Sequence, residues 1–150
     1  MKIQDIFKEA GNSSCLALCY CYIGVFNTSP VFNLSDERTQ NVMLGIALLD
    51  TYSNTHYLDK DFSVLDGQAI LDRIFADTGL KAVVGCKTKI SSIDELNEDT
   101  YNLVNFQYND KNHWVLYDGK ILKFNSLENS NCFRYGKPFE VRTVKVIKEV

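Results

Sequence analysis

The chain is poor in several things that would assign it quickly. It has two prolines and eight glycines in 150 residues, and no low-complexity run, repeat or linker. That excludes collagen-like, Pro-rich and disordered classes. The lysines are scattered and no basic face alternates with aromatics, which excludes a dedicated nucleic-acid binder. The opening MKIQDIFKEAGNSS has no apolar core of the signal-peptide type. The longest apolar stretch, 15–26, is too short to span a bilayer. These absences predict a cytoplasmic protein with no membrane partner. Five cysteines are an odd number for a disulfide framework, so they read as thiols. Only two histidines are present.

What remains is a domain-sized chain, 45% hydrophobic and 23% charged, with a net charge of -3. It divides into a helical half and a strand half. Ser13 or Ser14 would cap a helix from Cys15 to about Phe26. Ser35 would cap a second helix, with Val42, Leu44, Ile46 and Leu49 as its buried stripe. Asp66 would cap a third, carrying Ile70, Leu71, Ile74 and Phe75, with Gly79 as its stop. Strands follow at 81–87, 100–108, 113–117, 120–125 and 140–150, with a short helical turn at SSIDEL. Helices first and antiparallel strands after predict an α+β fold in one domain, 1–150.

Cys15 follows a GNSS turn at the start of the first helix. Unpaired first-turn N–H groups and the helix dipole favour a thiolate there, and the same N–H groups would face an oxyanion. Cys19 and Cys21 lie deeper in the helix and read as structural, as do the isolated Cys86 and Cys132. A metal site on Cys15, Cys19 and Cys21 lacks a second cysteine pair at zinc-like spacing. Calcium at Asp59, Asp61, Ser63 and Asp66 lacks the central glycine and terminal glutamate of an EF-hand loop, so a solvated acidic loop is expected. No cofactor is predicted.

His113 opens HWVLY directly after the polar turn NDKN, where a strand would hold it open to a cleft. His56 sits in a polar loop and reads as surface. Strand alternation adds a third residue. If Trp114, Leu116, Leu122 and Phe124 form one apolar face, His113 and Asn125 share the opposite face. That needs an even register, such as a three-residue Tyr117-Asp118-Gly119 loop with Gly119 left-handed. A two-residue Asp118-Gly119 loop would put His113 and Asn125 on opposite faces and split the quartet.

With a helix-start cysteine, a strand-start histidine and an asparagine on the next strand, the sequence resembles the papain-like cysteine peptidases. KILKFNSL is similar to the family's strand that ends in Asn-Ser. YLDKDFSVLDGQAILDRIF is similar to a group of short papain-like proteins of spirochaetes and their phages and plasmids. The resemblance implies Cys15 as nucleophile, His113 as general base, Asn125 as its orienter, and a peptide or amide substrate. Peptidoglycan stem peptides are one class such a small bacterial or phage enzyme would meet. The family's oxyanion glutamine is replaced by Glu9, leaving Asn12 or Gln4 as substitute donors, and Ser14 stands where glycine is frequent. Those departures imply the alternative of a binding module that keeps the fold and has lost the chemistry.

Overall fold

The computed structural model describes residues 14–149. Four helices precede the sheet: α1 (Ser14–Thr28), α2 (Pro30–Leu34), α3 (Glu37–Asn54) and α4 (Gly67–Phe75). The strands are β1 (Leu80–Val84), β2 (Thr88–Lys89), β3 (Tyr101–Tyr108), β4 (Lys111–Asp118), β5 (Ile121–Phe124) and β6 (Lys137–Lys148), with α5 (Asn131–Tyr135) before the last. All pairings are antiparallel, in the order β1-β6-β3-β4-β5, and β2 pairs with β6. The fold is α+β, with N-terminal helices and a C-terminal sheet.

α1 is the central helix. It packs against α3, α4 and β4, and is buried from Ser14 to Gly24 apart from Leu16. A helix apolar on nearly every side needs such a surround. Each fully buried aliphatic, such as Leu18 or Ile23, contributes roughly 1.5–3 kcal/mol. The sheet separates two cores. Leu103, Leu116 and Val144 face α1, whereas Val104, Val115, Tyr117 and Val141 form the other face with Cys132 of α5.

Several sequence expectations need correction. α3 buries Leu44, Gly45, Leu48 and Thr51. Val42, Ile46 and Leu49 are instead 44%, 64% and 40% exposed, because α3 carries apolar residues on two opposite faces and the core takes the other one. Ser35 ends α2, and its neighbour Asp36 caps α3 by accepting from Thr39 N–H. α2 itself starts by local chemistry the pattern of apolar residues did not reveal: Ser29 caps it, and Pro30 follows at its first turn. Asp66 does cap α4, but the helix ends at Phe75, short of Gly79. Ser92 and Glu95 form a reciprocal capping box around the short helical turn at Ile93–Glu95. β4 begins at Lys111, so His113 is its third residue; Asn109 and Asp110, both left-handed, make the tight turn before it.

The β4–β5 hairpin uses neither loop considered from the sequence. Asp118 pairs with Ile121, so the loop is Gly119-Lys120. Gly119 has φ +60°, and a Cβ there would sit 2.9 Å from the Glu98 carbonyl. Tyr117 pairs with Leu122, but Leu116 pairs with Phe124, which makes Lys123 a bulge. The bulge restores the even register two pairs from the loop. Leu122 leaves the apolar face and is 46% exposed, while Trp114, Leu116 and Phe124 pack with the helical core.

Candidate functional site

β5 ends at Phe124, so it covers β4 only as far as Leu116. The Trp114 backbone, on that same edge, finds no strand there and is met by α1. Trp114 N–H donates to Cys15 Sγ at 3.3 Å, and the Cys19 thiol lies 3.9 Å from the Trp114 carbonyl. The helix start is thus seated on the uncovered edge of β4, beside the residue that follows His113.

Asn125, one residue past β5, lies on the His113 face. Its Oδ1 accepts from Leu127 N–H at 3.1 Å. An amide N–H can only donate, so this contact fixes which way the Asn125 carboxamide points. The same Oδ1 lies 2.6 Å from His113 Nε2. A carboxamide oxygen can only accept, so the neutral ring carries its proton on Nε2 and leaves a lone pair on Nδ1. Nδ1 is buried and has no hydrogen-bond partner among the described residues.

The surroundings are drier than the sequence suggested. Cys15 is 4% and His113 1% exposed, so neither side chain stands open at a cleft mouth. Burial pushes the Cys15 thiol up to about 11, against the opposing pull of Trp114 N–H and the first-turn N–H groups. Burial also lowers the His113 pKa, and the Asn125 hydrogen bond only partly offsets this. Helix-start N–H groups do favour a thiolate at Cys15, as expected, but desolvation outweighs them. The resting pair is a neutral thiol and a neutral imidazole.

Of the predicted residues, the structure joins His113 to Asn125 directly and brings Cys15 to the adjacent Trp114 backbone. Asn12 and Gln4, and the Glu9 departure, lie outside the described residues. Cys19 and Cys21 are buried in α1, and no cluster of three or more His, Cys, Asp or Glu side chains among the described residues could hold a metal. In the acidic loop, Asp59 Oδ1 accepts from Asp61 and Ser63 N–H, and Asp66 caps α4. The site residue that sequence reasoning missed is Trp114, which acts through its backbone. Only the early end of β5 signals that role, and the sequence hides it behind the Lys123 bulge. Compared with known proteins, the chain matches no family model, no curated protein and no solved structure. Among the described residues, no helix is long and apolar enough to cross a membrane.

Proposed function

We propose that this protein is a papain-like cysteine hydrolase of peptide or amide bonds, with Cys15 as nucleophile, His113 as general base and Asn125 as its positioning residue. The observation that carries the reading is the anchored chain Leu127 N–H, Asn125 Oδ1, His113 Nε2, which leaves Nδ1 as a buried, unoccupied base. Because the resting pair is neutral, proton transfer accompanies attack. Cys15 Sγ bonds to the carbonyl carbon as its proton passes to His113 Nδ1. The first-turn N–H groups of α1 face the oxyanion. The intermediate collapses when His113 returns that proton to the leaving amine, giving a thioacyl enzyme and free amine. Water, with His113 again as base, releases the acid and restores the thiol.

A second reading is a binding module on the same fold. The raised Cys15 thiol and the Glu9 replacement favour it. One experiment separates the two. Wild type and Cys15→Ala are incubated with a diverse peptide pool, and products are read by mass spectrometry. The hydrolase reading expects cleavage by wild type alone. Cleavage that survives Cys15→Ala puts the nucleophile elsewhere, and binding without cleavage by wild type supports the module.

A further inference from the structure

The turn end of the sheet carries a solvent-open cavity of about 430 Å³ that none of Cys15, His113 and Asn125 lines. Four pieces of chain meet there: the end of β3, the left-handed Asn109-Asp110 turn, the end of α5 and the start of β6. α5 packs on β3 and β4, and the chain leaves it for β6 through Gly136. A Cβ at Gly136 would collide with the carbonyl oxygens of Cys132 and Gln107, so only glycine lets the chain pass this close to β3. Lys137 then pairs with Gln107, and Phe139 bulges out before the register with β3 resumes at Glu140. The cavity walls are thus set by backbone geometry.

Three aromatic side chains line it: Tyr108, Tyr135 and Phe139. The two tyrosine rings lie 6.0 Å apart and are tilted by 48°. Tyr135 is 66% exposed, and folding gains little from a ring left so open. The polar lining is mixed. Asp110 supplies a carboxylate, Lys137 an ammonium, and Gln107 and Asn109 carboxamides. Among the described residues, none of these four side chains forms a hydrogen bond or ion pair.

A carboxylate and an ammonium around one cavity favour neither an anion nor a cation. Carboxamides and phenols both donate and accept, which suits a ligand whose own groups do the same. Hydroxyl groups meet that requirement. A pyranose ring adds an apolar C–H face that an aromatic platform can cover. The volume falls within the ~300–1,000 Å³ of small-ligand sites.

We propose that this cavity is a carbohydrate-binding site. Its ligand is a neutral pyranose, free or at the end of an oligosaccharide. Tyr135 is the stacking platform, and Asp110, Lys137 and the two carboxamides bond to the hydroxyl groups. The assignment does not rest on the hydrolase reading, because no residue of the proposed catalytic chain lines the cavity.

The test is a backbone-amide NMR titration of the whole chain. Glucose, galactose, mannose and N-acetylglucosamine are each added to tens of millimolar, with choline as a cationic control. At least one sugar should give saturable shifts centred on residues 107–110 and 135–139. The matching trisaccharide should bind more tightly if the site takes a chain end, and no more tightly if it takes a free sugar. Tyr135→Ala should weaken binding about tenfold, whereas Tyr135→Phe should keep most of it. Lys137→Met should weaken it several-fold by removing a donor. Both side chains are exposed, so the variants should keep the wild-type spectrum away from the cavity. No saturable shift with any of these sugars, saturable shifts only elsewhere, or unchanged affinity in Tyr135→Ala overturns the proposal. Stronger binding of choline at the same residues also overturns it, and would make the rings a cation cage.

Discussion

Two buried asparagines three residues apart on β3 are treated in opposite ways. Asn102 is fully enclosed and fully used: Nδ2 donates to the Asn97 and Gly119 carbonyls at 2.8 and 2.7 Å, and Oδ1 accepts from the Thr100 hydroxyl at 2.9 Å. It ties the β4–β5 turn to the loop before β3. Asn105, on the opposite face, keeps an unused acceptor in an equally dry place. An unpaired buried acceptor costs free energy that a paired one does not. The far end of the strand is built for stability, and the end near Trp114 tolerates an unmet polar group.

The strongest way to break this comparison is to truncate each asparagine. Asn102→Ala should destabilise by about 3 kcal/mol, because it strands the buried Gly119 carbonyl and removes the partner of the Asn97 carbonyl and the Thr100 hydroxyl. Chemical denaturation reads this, and a loss below about 1 kcal/mol would mean that the network is not structural. Asn105→Leu, nearly the same size, should cost less than about 1 kcal/mol or stabilise, since it removes an unsatisfied acceptor.

Acid should probe His113 next. Its folded pKa lies below the ordinary 6.5, so above 6.5 folded and unfolded chains bind the same proton count at this group. Below 6.5 the unfolded chain takes up the proton first, and stability falls as pH drops toward the folded value. His113→Gln should flatten that slope in denaturation midpoints measured between pH 7 and 5. An unchanged slope would place the acid sensitivity elsewhere.

Asn125→Ala should slow any turnover roughly tenfold to a hundredfold by freeing the imidazole to rotate, while Asn125→Asp should be tolerated because it keeps the acceptor. Equal losses in both variants would show that the Asn125 contact serves packing alone. The smallest effect is expected outside both cores. Ile46→Lys, on the exposed face of α3, should change stability by no more than about 0.5 kcal/mol. A large drop would show that this face is covered in solution.

Much of this was legible in advance because it is local. The helix-start cysteine, the Asp66 cap, the short helical turn at SSIDEL and the alternation along β4 follow from near neighbours and period. The α3 face was misjudged for an equally local reason: two apolar stripes of similar strength lie on one helix, and periodicity cannot say which one the core takes. α5 and β2, of five and two residues, are too short to carry a period at all.

The sequence by itself determined the types of the longer elements, the α+β order and the three residues worth watching, because side-chain chemistry and spacing are written into it. Only the tertiary structure decided the rest. Where β5 stops, and the Lys123 bulge that resets its register, depend on pairing with β4. That pairing exposes the Trp114 edge to Cys15. Burial depth, which raises the thiol and lowers the imidazole, is set by everything packed around them. The unused Asn105 acceptor is likewise a property of the neighbours it lacks, and no reading of one strand contains that information.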